Sequence, residues 1–179
     1  LRILSAIDRK TPVGLRDYTV LLLMSCYGLG AGEVIRLTLD DIGWQAATLH
    51  VVRPKTGVAF ALPLLPTLAR ALVSYLKRGR PRRAPTRHLF LSMRAPHYPL
   101  SASSAIRHML VGYARTADVT AAYLGSHVLR HTHACRQMEL ETSPKVISDI
   151  LGHRSPESLS AYLRIDTKHL RQLPLPVPK

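Results

Sequence analysis

The chain has 179 residues, enough for one domain with a sizeable core. It carries 25 Lys and Arg against 11 Asp and Glu, a formal charge of +14, which points to a polyanionic partner, nucleic acid or an anionic membrane. No 18-residue apolar run and no basic segment leading into an apolar signal favour membrane, and two cysteines, Cys26 and Cys135, are too few for a disulfide framework and fit a reducing cytoplasm.

The first residue is Leu, already in helical register, so the chain reads as a fragment whose N-terminal portion is missing. Residues 1–9 predict a helix with Leu1, Leu4 and Ile7 on one side, stopped before Pro12. Residues 15–27 are apolar on every side (Val20 to Met24) and predict a buried core helix. Gly28-Leu29-Gly30-Ala31-Gly32 breaks it, and a short helix follows over 33–37. These glycines follow a helix rather than a strand and lack a Gly-x-Gly-x-x-Gly register, so a phosphate-cradling loop is a weak reading.

The period then changes. Residues 40–42, 48–53 and 58–63 read as short strands joined by turns at Gly43-Trp44 and Lys55-Thr56-Gly57, with Lys55 at a hairpin tip. Helix returns over 66–77 with Leu68, Leu72, Val73 and Leu76 as its buried stripe. A basic, proline-bearing loop spans 79–88, read as solvated and available to phosphates. Leu89-Phe90-Leu91 is a short buried segment, and 101–116 a helix with Ile106, Leu110 and Tyr113 toward the core. The fold class is mainly α with a small antiparallel sheet, in a single domain over 1–179; the proline-bearing tail 170–179 is not helical throughout.

The chemistry concentrates in the last third. Ser126 is a good helix N-cap, and His127 and Arg130, three apart, project from one face of that helix. Ser143 and Pro144 announce another helix that ends at Gly152, leaving His153 just past its end, with Tyr162 nine residues on. A tyrosine oxygen, with a pKa of ~10, attacks only an activated electrophile. A phosphodiester qualifies when its non-bridging oxygens are held by cations, for which the planar fork of arginine is suited. Histidines move protons near neutral pH, and a hairpin lysine can protonate a leaving oxygen. Together these are the parts of a metal-free transesterification through a phosphotyrosyl intermediate.

His127-x-x-Arg130-His131-Thr132, Leu151-Gly152-His153 and Tyr162 resemble the signature of the tyrosine recombinases, the phage-integrase family. Upstream, Tyr27-Gly28-Leu29-x-Ala31-Gly32-Glu33-Val34-x-x-Leu37 with Asp40-Asp41-Ile42 is similar to that family's first box. Arg53-Pro54-Lys55-Thr56-Gly57 before Leu62-Pro63-Leu64 is similar to its lysine-bearing hairpin. The resemblance covers nearly the whole chain as a C-terminal catalytic domain, and implies that an N-terminal domain completing a clamp around DNA is absent here. It implies no cofactor and a role for each residue: Tyr162 attacks, leaving a 3′-phosphotyrosyl link and a free 5′ hydroxyl. Arg130 and His153 hold non-bridging oxygens, His127 assists proton transfer and Lys55 is the general acid. The implied partner is double-stranded DNA with inverted half-sites, bound by a homo-tetramer on paired sites, with 170–179 as a tail docking on a neighbour.

One position departs from the pattern. Where the family carries its first catalytic arginine this chain has Gly30, which predicts a kept fold and DNA site but weak or absent catalysis. Arg36, six residues along a helix, would point away and not substitute. A catalytically inactive DNA-binding module of the same fold is therefore the rival reading. A third is a zinc face from His127, His131 and Cys135 at i, i+4 and i+8, which lacks a well-placed fourth ligand and has Arg130 beside it. His131 otherwise reads as a buried structural residue and Glu33 as support for the cleft or the helix start.

Overall fold

The computed structural model describes residues 2–101, 103–120 and 124–152. Helix α1 (Arg2–Ser5) is one turn, shorter than the expected 1–9, because the chain turns at Asp8. Asp8 Oδ1 accepts from the Lys10 N–H at 3.0 Å, and its carbonyl accepts from Thr11 Oγ1 at 3.2 Å. Helix α2 (Pro12–Tyr27) then starts three residues before the expected position. Thr11 caps it by accepting the Gly14 N–H at 3.0 Å, and Pro12 fills the first position, where a missing N–H costs nothing. Val20, Leu21, Leu23 and Met24 are fully buried, so α2 is the central rod of the core, packed between the helices that follow. It ends at Gly28, left-handed at φ 63°, whose N–H returns to the Met24 carbonyl at 3.0 Å.

Helix α3 (Ala31–Val34) is again one turn, ending before the expected 37. Leu39–Asp41 forms a 3-10 turn rather than a strand, because Asp41 Oδ2 accepts from both the N–H and the hydroxyl of Thr38, at 2.7 and 2.8 Å. Strands β1 (Ile42–Gly43), β2 (Thr48–Val52) and β3 (Ala59–Pro63) make one antiparallel sheet in the order β1-β2-β3, with Leu49 opposite both Ile42 and Leu62. Leu49 and Val51 face inward while His50 and Val52 face out, the alternation of a half-buried strand. The Tyr27 hydroxyl fastens α2 to the sheet, donating to the Pro63 carbonyl at 2.5 Å and accepting the Leu65 N–H at 3.2 Å.

Helix α4 (Pro66–Arg78) lies on α2 through Leu68, Ala71, Leu72 and Tyr75. Val73, expected in that stripe, is exposed; Tyr75 is fully buried instead, its hydroxyl donating to the Leu89 carbonyl at 3.1 Å. Leu89, Phe90 and Leu91 are fully buried, as expected. Helix α5 (Ser103–Thr116) buries Ile106, Leu110 and Ala114, and Tyr113 reaches Asp17 Oδ2 at 3.0 Å. Helix α6 (Ser126–Glu139) is capped by Gly125, not Ser126, which is its first helical residue. Helix α7 (Pro144–Leu151) has Ser143 as its cap and Gly152, left-handed at φ 65°, at its end. A small second core of Ala134, Ile147 and Leu151 joins α6 to α7. The architecture is the expected mainly helical one with a small antiparallel sheet. Among the described residues no helix is long and apolar enough to cross a membrane.

Candidate active site

Five pieces of chain meet at one cleft: the start of α3, the β2–β3 turn, the start of α5, the first turns of α6 and the end of α7. Its lining includes Gly30, Glu33, Arg53, Lys55, His127 and Arg130. Glu33 is the centre. Its side chain is buried, and Oε2 accepts the Gly30 N–H at 2.6 Å, which fixes the first turn of α3. The same oxygen meets Arg130 Nη1 at 3.3 Å, and Oε1 meets Arg53 Nη1 at 3.5 Å. Two guanidiniums thus share one carboxylate, so the cleft keeps a positive charge even before Lys55 is counted.

Arg130 extends from α6 and also donates through Nη2 to the Leu151 carbonyl at the end of α7. His127, one turn earlier, is exposed and lines the same cleft. Lys55 stands exposed in the β2–β3 turn at the cleft rim. The structure therefore brings Arg130, His127, Lys55 and Gly30 to one place. His153, Tyr162 and the tail 170–179 lie outside the described residues, although α7 and Gly152 lead directly into His153.

Gly30 has φ −75° and ψ 157°, a conformation open to any residue, so the backbone does not demand glycine here. A Cβ at that position would stand 3.1 Å from Arg130 Nη1 and 3.4 Å from Glu33 Oε2. A side chain on residue 30 thus points at Arg130. Arg36 is exposed; α3 ends before it, so it lies beyond the helix on which it was expected.

Arg53 is the residue that sequence reasoning missed as a site group. Its Nη2 donates to the Asp149 and Ile150 carbonyls at 3.1 and 2.7 Å, and its guanidinium lies 4.5 Å over the Phe60 ring. Burial pushes its pKa below the usual range; Glu33 opposes that and Arg130 adds to it. The signal was present in the period of β2: residues 49, 51 and 53 fall on one face, and the first two are buried.

The histidines sort differently from the expectation. His131 is exposed, while His133, two residues on, is the buried one, with Nδ1 3.2 Å from the Ser25 carbonyl. Among the described residues no group of three or more His, Cys, Asp or Glu is arranged to hold a metal ion, so the zinc face finds no support there.

The phage integrase family model matches residues 1–169. A putative integrase/recombinase of Sinorhizobium fredii, y4gC, is 36% identical over 178 residues, covering 98% of this chain and 90% of that protein. A second from the same organism, y4rA, is 36% identical over 177 residues, covering 99% of this chain but only 42% of that longer protein. Among solved structures, the XerH site-specific recombinase bound to a palindromic difH substrate, a post-cleavage complex, superposes with a TM-score of 0.80. It shares 18% identity over 96% of this chain and 49% of its own, a likeness of fold.

Proposed function

The chain belongs to the phage integrase family, and on that premise we propose that it cuts and rejoins double-stranded DNA through a 3′-phosphotyrosyl intermediate. The observation that carries the reading is the convergence of Arg130, Lys55 and His127 on one cleft beside the end of α7. In this mechanism the Tyr162 oxygen bonds to phosphorus as the P–O5′ bond breaks. The tyrosine proton leaves with the help of His127, and Lys55 protonates the departing 5′ oxygen. Arg130 and His153 hold the non-bridging oxygens, where charge develops, in a site already positive. One ester replaces another, so a 5′ hydroxyl can reverse the step on a new partner strand without an energy source.

The charge of +14 supports the DNA partner. Inverted half-sites and a tetramer on paired sites fit a reaction that must exchange strands between two duplexes, and the XerH relative was captured on a palindromic substrate. Gly30 leaves the phosphate one cation short of the family pattern, and losing one preorganised donor lowers a rate by ~10²–10³. The same residue favours the second reading, a DNA-binding module of this fold without cleavage.

Covalent trapping separates the two. The chain is incubated with nicked duplexes carrying a randomised half-site, and protein–DNA adducts are resolved under denaturing conditions, with Tyr162→Phe beside it. A slow adduct that Tyr162→Phe abolishes is the expected result. DNA binding with no adduct, in the chain and in Gly30→Arg alike, would leave the binding module.

A further inference from the structure

Gly30 removes a guanidinium from the cleft, yet the cleft still holds two. We infer that Arg53 supplies the second phosphate-binding guanidinium, reaching from the β2–β3 hairpin the site that the missing arginine would have reached from residue 30. The inference rests on the recombinase reading and deepens it, since it assigns the residual activity to a residue outside the expected set.

Three observations carry it. First, Arg53 and Arg130 grip opposite oxygens of the one buried carboxylate, Nη1 to Oε1 and Nη1 to Oε2, so they form a pair facing the same cleft. A carboxylate shared by two cations leaves a surplus positive charge that a phosphate oxygen satisfies with charge-assisted hydrogen bonds. Second, a Cβ on residue 30 would point at Arg130 Nη1, the member that Arg53 faces across Glu33. An arginine at 30 and Arg53 are thus alternative second partners in one cluster. Third, space has been left for Arg53. A Cβ on Gly152 would overlap Arg53 Nη1, so the left-handed glycine that ends α7 admits the guanidinium against the helix's last carbonyls. Those carbonyls and the Phe60 ring hold the fork in one orientation, the condition for stabilising developing charge.

A plainer account makes Arg53 a staple between the hairpin and α7. The two accounts part in a rescue experiment on the full chain, using the nicked duplexes above, with Arg53→Gln, Arg53→Gln/Gly30→Arg and melting curves on each. The inference expects Arg53→Gln to lose at least tenfold in adduct rate, and Gly30→Arg in that background to recover it. Loss without recovery, with a lower melting temperature, identifies a staple and overturns the inference; so does an unchanged rate in Arg53→Gln. If the parent forms no Tyr162-dependent adduct, the recombinase reading is what fails. Arg53 is then judged by the salt dependence of binding to a mixed-sequence 30-bp duplex. If its guanidinium neutralises a phosphate, Arg53→Gln lowers the slope of log K against log salt by about 0.9, and an unchanged slope overturns the inference.

Discussion

Arg130 and Glu33, 97 positions apart in the chain, meet at 3.3 Å, and this contact holds α6 against the start of α3. Because Arg53 uses the same carboxylate, Glu33→Gln leaves two guanidiniums facing each other without the charge between them. Gln keeps an acceptor for the Gly30 N–H, so the helix start survives and the loss is electrostatic. Removing one partner of a buried pair costs about 3–5 kcal/mol; with the arginines partly solvated, about 2 kcal/mol is expected here. Urea unfolding of Glu33→Gln measures it, and a change under about 0.5 kcal/mol would show that Glu33 does not organise the cleft.

Two neighbouring glycines have opposite requirements. Gly28 is left-handed, and a Cβ there would meet His133 at 2.8 Å and Leu151 at 2.9 Å. Gly28→Ala therefore combines backbone strain with overpacking and is expected to cost about 2–4 kcal/mol. At Gly30 the backbone already suits alanine, and the nearest atom is the far end of the Arg130 side chain, 3.1 Å away, rather than backbone. Gly30→Ala is expected within about 1 kcal/mol of the parent, since lost freedom in the unfolded chain offsets a small shift of Arg130. Paired urea curves test the contrast, and equal losses would contradict it.

Much of this was legible in the sequence because local chemistry decided it. Ser143-Pro144 and Gly152 bracket α7, and the run from Val20 to Met24 has no polar side to expose. Where the pattern misled, a nearby side chain or a longer contact overrode it. Asp41 folds back on Thr38 and turns an expected strand into a 3-10 turn. The expected buried histidine proved to be His133 rather than His131, because the face of α6 that meets α2 near Ser25 is set by packing, which one sequence does not show. Arg53 stands out in the sequence only for its place beside Lys55, while its own role depends on the α7 carbonyls about 97 residues away.

Alkaline pH tests the core. Burial pushes the hydroxyl of Tyr75 up to about 12, and burial with the Asp17 carboxylate does the same for Tyr113. Unfolded tyrosines ionise near ~10, so between about pH 10 and 12 the unfolded chain loses protons that the folded chain keeps, and stability falls as pH rises. Below pH 10 the contribution is fully present. Melting temperatures are expected to drop from pH 9 to pH 11, and Tyr75→Phe to make the drop smaller. An undiminished drop in that variant would remove Tyr75 as its source.

On the acid side, His133 and His131 both resist protonation, and His133 is the one that is buried in the fold. Burial lowers its pKa, the Ser25 carbonyl opposes this, and Arg130 and Arg136 add to the lowering. The folded chain resists a proton that the unfolded chain accepts near ~6.5, so stability is lost as pH falls below that value. His133→Asn, whose amide can still donate to the Ser25 carbonyl, is expected to flatten urea stability between pH 7 and 5.5 relative to the parent. A parallel decline in both proteins would assign the acid sensitivity elsewhere.

Lys55 offers a test of chemistry rather than folding, because it stands exposed in a turn where substitution disturbs no packing. If its ammonium protonates the leaving 5′ oxygen, Lys55→Ala lowers the rate of adduct formation by about 10²–10⁴ on an ordinary phosphodiester. A 5′ bridging sulfur alters that demand, since a thiolate is a far better leaving group than an alkoxide and departs without a proton. On such a substrate Lys55→Ala is expected to react at nearly the parent's rate. The comparison separates proton donation from simple attraction between a lysine and the phosphate, because attraction is weakened equally on both substrates. Equal deficits on oxygen and sulfur would therefore make Lys55 a phosphate contact, and the proton for the 5′ oxygen would have to come from another group at the cleft, with exposed His127 the first to examine.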